Sequence, residues 1–363
     1  MHALRREWSL LLSYGTAAAF YVFHQALLEK MESPLWASVA FIWLFAVILL
    51  SAFAVVRHSD ILASIVGEPY GTLILTFAIT AIEVMMIVAV MLTGPPVSFL
   101  ARDTMFAVVM IVFNGMAGLA LLLGGLRYHE QSYNLQGANA YLAVIVPIAV
   151  ICLVLPNFTV SGEGPTLSFA HEIFVIVISV AMYGVFVAMQ TLSHRRYFLG
   201  PGEDDHEDHG SEKRAAPWHA SLLVANIVPI ILLSKQIAMP IEFGVAAFDA
   251  PEAVVGFLVA VLVLSPESLS ALRAALANQL QRSINLLLGS VLASISLTIP
   301  AVLVIGLLTG RTVVLGLAPV DMIMLLLTLA LSTLTFASGR TNALLGAVHL
   351  LLFLAYLMLI FER

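Results

Sequence analysis

Charge is the scarcest commodity in this sequence. Only 10% of its 363 residues are Asp, Glu, Lys or Arg, against about 25% in an ordinary soluble domain. With 61% hydrophobic residues, the chain lacks the polar surface a water-soluble fold needs and reads as an integral membrane protein. The single cysteine, Cys152, excludes an intrachain disulfide and a cysteine-built zinc site. The glycines form no phosphate-binding loop, and neither HExxH nor a nucleophile elbow occurs. ATP-driven transport within this chain and the hydrolytic enzyme classes therefore find no residues to carry them, and the expectation is that the chain is not an enzyme. Arg5 and Arg6 precede an apolar run, but no small-residue cleavage site follows before Gln25, so the start does not read as a cleaved signal peptide.

Long apolar stretches are what the chain does have. About 20 apolar residues cross a bilayer as a helix. That rule predicts an all-α polytopic membrane protein with about eleven spans, near 8–28, 34–56, 70–93, 103–124, 137–157, 168–191, 218–236, 252–272, 283–308, 313–336 and 342–361. All 16 Lys and Arg fit loops between these spans, eleven on the side of Arg5 and five on the other. The positive-inside rule then puts the N-terminus in the cytoplasm and the C-terminus in the periplasm. Between 193 and 217 runs a polar segment with Glu203, Asp204, Asp205, His206, Glu207, Asp208 and His209. It reads as a solvated cytoplasmic linker, with divalent-cation sensing as the alternative.

Setting the first helix (1–33) aside leaves five spans on each side of that linker, over 34–192 and 218–363. An odd number of spans per unit forces two similar halves into opposite orientations, the inverted-repeat architecture of secondary transporters. Glu83 lies in the second span of the first half and Glu267 in the second span of the second half. Arg102 and Arg282 open the following spans, and twelve residues beyond them stand Asn114 and Ser294.

A carboxylate at bilayer depth is costly, about 2.5–3.5 kcal/mol even on insertion scales. With every Lys and Arg assigned to a loop, Glu83 and Glu267 are expected to be protonated or to hold a cation. Around the second lies Leu264-Ser265-Pro266-Glu267. A proline there removes a helix donor and predicts a helix break, with carbonyls near Leu262 and Val263 turned outward as hard ligands. Thr80, one turn before Glu83, offers a hydroxyl or a bend. Asn114 and Ser290 are further candidates to line the path, with Asn285, Ser294 and Ser296 behind them, and plain helix packing is the alternative for all. For Glu68 and Glu172 an interfacial place is expected. His24 and His349 read as neutral imidazoles bonded to a neighbour, with a proton relay as the other reading.

The run Asn278-Gln279-Leu280-Gln281-Arg282-Ser283-Ile284-Asn285-Leu286-Leu287-Leu288-Gly289-Ser290 resembles the second signature repeat of the cation/proton exchanger family, within the calcium:cation antiporter superfamily. Gly67-Glu68-Pro69-Tyr70-Gly71 leading to Glu83, Gly124-Gly125-Leu126-Arg127 and Ser338-Gly339-Arg340-Thr341-Asn342 are similar to other segments of that family. The resemblance implies eleven spans, two inverted five-helix repeats, an acidic segment between them and one essential glutamate per repeat, here Glu83 and Glu267. The commoner pattern places Gly-Asn before each glutamate, whereas this chain has Ile79-Thr80 and Val263-Leu264, and Ala293 replaces a glutamine. The implied function is Ca²⁺ export in exchange for H⁺ across a bacterial inner membrane, with Na⁺ and K⁺ as further cargo. Mainly monovalent Na⁺/H⁺ or K⁺/H⁺ antiport is the alternative, and a cation channel a more distant one. The expected partners are metal cations, protons and membrane lipid. No cofactor and no nucleic acid are expected, and the oligomeric state, a homo-oligomer included, stays open.

Overall fold

A chain this apolar must satisfy its backbone internally, and helices do so in lipid. The computed structural model describes residues 7–25, 27, 33–67, 70–93, 99–159, 166–199, 216–247, 249–251 and 253–362. Among them run eleven helical rods. The first six are α1 (Trp8–Val22), α2 (Pro34–Val66), α3 (Tyr70–Thr93), α4 (Leu100–Tyr128), α5 (Leu135–Leu153) and α6 (Phe169–Ser193). After the linker come α7 (Ala216–Ala247), α8 (Ala253–Leu276), α9 (Leu280–Thr309), α10 (Pro319–Thr335) and α11 (Ala343–Ile360). The all-α polytopic architecture read from the sequence is what the fold shows.

Helix lengths agree across the two halves. α2 and α7 have 33 and 32 residues, and α3 and α8 have 24 each. α4 and α9 both relax into a π segment part-way, over Met110–Met116 and Ser294–Thr298. Single π turns of this kind recur at functional sites. These two rods are buried along most of their length, whereas α6 and α11 are peripheral and largely face outward.

Two small pairings cross between the halves. Strand β1 (Glu130–Ser132), in the α4–α5 connection, pairs antiparallel with β2 (Arg340–Asn342), in the α10–α11 connection. Thr166, between α5 and α6, bridges Val314, between α9 and α10. Each connection thus meets the other half's counterpart of its neighbour, the exchange a two-fold relation between repeats produces. The loop segments picked out from sequence meet here, since a Cβ on Gly125 would strike the backbone of Ala343. Asn134 and Asn342 cap the helices that leave the ribbon, accepting from Gln136 and Gly137 and from Leu344 and Leu345.

The structure corrects three expectations. The spans placed at 34–56 and 218–236 continue as helix to Val66 and Ala247. Arg57 and Lys235 therefore lie within helices, not loops, and Arg102, Arg127, Arg273 and Arg282 fall in the end turns of theirs. At about 1.5 Å per residue, rods of this length outreach a hydrocarbon core about 30 Å thick, so a basic residue marks the membrane edge without ending the helix. Arg57 pairs there with Glu7 at 2.7 Å, while Lys235 is exposed. Thirdly, α8 runs unbroken through Pro266. Glu68 and the acidic run 203–209 fall outside the described residues.

Candidate functional site

Asn278, Gln281 and Asn285 of the signature run build the support on which α9 starts. Gln131 donates to the Ala275 carbonyl and to Asn278 Oδ1, at 2.9 and 3.0 Å. The Asn134 amide donates to Gln281 Oε1 at 2.7 Å, Gln281 donates to Asn285 Oδ1 at 2.8 Å, and Asn285 donates to the Phe198 carbonyl at 2.6 Å. Asn285 is thereby committed to holding the rod's end and is not a lining residue. Asn278 turns the chain from α8 into α9 with a φ of 61°.

From that support α9 delivers its polar side chains to the two glutamates. Glu83 and Glu267 are 1% and 2% exposed. Ser294, the first residue of the π segment, donates to Glu83 Oε2 at 2.6 Å, and Thr298 donates to the same oxygen at 3.3 Å. The Oε1 atom is buried without a hydrogen-bond partner. Glu267 has Ser290 and the carboxyl of Glu83 as electrostatic neighbours, yet both of its oxygens are buried without a bond of full geometry. Among the described residues no Lys or Arg acts on either carboxyl group. Three buried carboxyl oxygens thus converge on one region with nothing in the protein to satisfy them, and orphans of that kind call for an occupant.

The other candidates divide. Thr80 and Val263 are buried on α3 and α8. Ser265 turns away and donates to the carbonyl of Val261 on its own helix, the back-bond that serines make inside apolar helices. Pro266 breaks nothing, but it has no N–H, so the Leu262 carbonyl loses its usual donor. Asn114, fully buried in the α4 π segment, bonds elsewhere. It donates to Thr328 Oγ1 at 2.7 Å and faces His349 Nδ1 through Oδ1 at 3.0 Å. His349 has Thr335 on its other ring nitrogen at 3.0 Å, the neutral, hydrogen-bonded imidazole of the ordinary reading. Ser296 Oγ is buried without a partner, and Glu172 lies in the first turn of α6.

Sequence reasoning passed over Thr298, whose signal was its place one turn past Ser294. It also passed over Thr76, which lines a cavity of about 10 Å³ with Tyr141, Gln190 and Gly289. The hydroxyl of Thr76 has no partner, and Gly289 precedes Ser290, so this water-sized space opens beside the residue flanking Glu267.

The model of the family described as "Sodium/calcium exchanger protein" matches residues 36–192 and again 218–362. The chain belongs to the sodium/calcium exchanger family. It is 44% identical over 319 residues to the sodium-potassium/proton antiporter ChaA of Escherichia coli (strain K12), across 86% of each chain. Among solved structures it resembles native YfkE with a TM-score of 0.75 at 18% identity, covering 98% of this chain and 100% of that one. The H⁺/Ca²⁺ exchanger CAX follows at a TM-score of 0.71 and 12% identity, over 98% and 88%. The resemblance to cation/proton exchangers carried by Asn278–Ser290 is borne out, and this exchanger-family member stands among transporters. Its two family matches flank the polar linker, and each contains one of the buried glutamates.

Proposed function

We propose that this protein is a secondary-active cation/proton antiporter in which Glu83 and Glu267 bind protons and a metal cation in alternation. The observation that carries the reading is a pair of carboxylates, buried together and lacking any permanent cationic partner among the described residues. Facing carboxylates repel, and burial disfavours their charged forms. Protons then neutralise the pair, a cation displaces them, and the two titrate as a coupled unit. An empty site with both groups charged is too costly to carry across the membrane. Only the proton-loaded and cation-loaded forms reorient, which makes the exchange obligatory. The 44% identity to a named cation/proton antiporter supports the same conclusion.

For the cargo we keep Ca²⁺ export, with Na⁺ and K⁺ as further substrates. Besides the two carboxylates, Thr80, Ser290 and the carbonyls near Val263 would supply hard oxygen ligands. A mainly monovalent Na⁺/H⁺ or K⁺/H⁺ exchanger is the second reading. It is favoured by the name of the 44% identical relative. The multi-pass chain would lie in the bacterial inner membrane with its N-terminus cytoplasmic and C-terminus periplasmic, divided at 1–33, 34–192, 193–217 and 218–363.

The test is proton release from everted vesicles or proteoliposomes carrying a pH dye, driven by Ca²⁺, Na⁺ or K⁺ in turn. Wild-type protein is expected to respond and Glu83→Gln and Glu267→Gln to fall to background while remaining folded. Exchange by both variants at the wild-type rate would overturn the proposal. Conductance without proton coupling would make the protein a channel.

A further inference from the structure

The π segments of α4 and α9 occupy equivalent places but are used differently. Met110 and Ser294, which open them, lie equally far in sequence beyond Glu83 and Glu267. Counted that way, Asn114 corresponds to Thr298. Counted from Arg102 and Arg282, it corresponds to Ser294. Both counterparts donate to Glu83, the carboxylate of the opposite half. The mirror-image partner of Asn114 is therefore Glu267, and α8 does pack against the Met110–Met116 segment. Yet Glu267 lacks a hydrogen bond, and Asn114 is spent on Thr328 and His349.

We propose that Asn114 is a clasp for Glu267 which His349 and Thr328 hold open, and that reorientation exchanges the two clasps: Asn114 closes on Glu267 as Ser294 and Thr298 release Glu83. Inverted repeats give the physical reason. When two halves of like topology adopt unlike conformations, swapping those conformations generates the state that opens to the other side. An open clasp in one half beside a closed one in the other is the asymmetry such a swap requires. The geometry of His349 suits a latch. Its Nδ1–H donates to Asn114 Oδ1 while Nε2 accepts from the Thr335 hydroxyl, which fixes one tautomer and one ring orientation. Asn114, Thr328, Thr335 and His349 are all fully buried, so no water competes for these bonds. His349 and Thr328 are positioning residues, acting on the site only through Asn114.

The inference rests on the antiport reading and deepens it. Its test uses the full-length protein in proteoliposomes, with the apparent KM for the transported cation measured from each face of the membrane. An asparagine at 349 places its amide nitrogen where Nδ1 was and keeps the bond to Asn114. A glutamine places its amide at Nε2 and loses that bond. His349→Gln and Thr328→Val are expected to move the ratio of the two KM values about fivefold, both in the same direction, as losing one buried hydrogen bond allows. Ser294→Ala, which weakens the clasp now closed, is expected to move the ratio the same way. His349→Asn is expected to match the wild type, and His349→Gln to add nothing in an Asn114→Ser background. An unmoved ratio, equal behaviour of the two 349 variants, or an effect that persists in Asn114→Ser would each overturn the clasp. Wild-type exchange by both Glu83→Gln and Glu267→Gln would instead overturn the antiport reading, so the two failures are distinguishable.

Discussion

Glu83 and Glu267 occupy matching places in two halves of one molecule, and their surroundings differ. Glu83 accepts two hydroxyl bonds on one oxygen, from Ser294 and Thr298 of the opposite half. Glu267 has a serine of its own half, Ser290, alongside and no completed bond. The contrast extends outward along the same pairs of rods. α4 meets α11 through glycine, where a Cβ on Gly346 would lie 2.3 Å from the Leu122 backbone and one on Gly118 would lie 3.0 Å from Leu350. The equivalent pair, α9 and α6, has no such seam, and Gly184 of α6 faces open space. Unequal halves built on one topology are what a two-state carrier needs, because the inequality is what it exchanges.

The largest expected effect erases the comparison. Glu83→Gln and Glu267→Gln remove a charge from each side, and both are expected to abolish cation-driven proton release, measured with a pH dye in everted vesicles. A variant of one glutamate that kept full exchange would show that the halves differ in kind and not only in conformation. Next comes packing. Gly346→Ala is expected to destabilise the fold by about 1–3 kcal/mol, the usual cost of overpacking, and Gly184→Ala to leave stability unchanged. Thermal unfolding of the detergent-solubilised protein, read as loss of the monodisperse peak, separates them. Equal melting temperatures would mean that the α4–α11 seam is no tighter than the α6–α9 one.

A third prediction sharpens the electrostatic side. A hydrogen bond to a charged group is worth about 1.5–3 kcal/mol, so Ser294→Ala is expected to lower kcat/KM for the cation by at least about tenfold. Ser290→Ala, removing a neighbour whose bond is incomplete, is expected to cost about threefold or less. Initial rates of exchange across a cation titration decide it. The reverse order would place the gripped carboxylate in the second half.

How much of this was visible in the sequence follows from what stands out against an apolar background. Glu83 and Glu267 did, because a charge in a run such as Ala78–Val90 has few structural excuses. The matched ordinals of their helices revealed the two halves, and the spacing from Arg102 and Arg282 found Asn114 and Ser294. The π segments left no trace, since Met110–Met116 and Ser294–Thr298 have the composition of any membrane helix. Thr298 and Thr328 were passed over for a related reason: a threonine that grips a carboxylate and one that merely packs read alike until the fold supplies the partner. Lys235 and Arg57 misled about helix ends, because charge reports where the membrane stops and a helix is free to continue into water. Pro266 misled about continuity, because tightly packed neighbours hold α8 in register across the missing donor.

The smallest expected effect belongs to Ser265, two residues from Glu267, where sequence proximity and geometry disagree. Proximity makes it a candidate ligand. In the structure its hydroxyl donates to the Val261 carbonyl one turn back, and a serine so engaged has no donor left for the site. Removing that bond leaves the helix ladder intact, because back-bonding by serine is nearly neutral to a helix and slightly bends it. Ser265→Ala is therefore expected to keep kcat/KM for each cation within about twofold of the wild type, measured in the same vesicles as Ser294→Ala. A loss as large as that of Ser294→Ala would mean that Ser265 leaves Val261 in the state facing the other side and reaches Glu267 there. The second carboxylate would then be served from its own helix, and the mirror relation between the halves would fail at the position where it matters most.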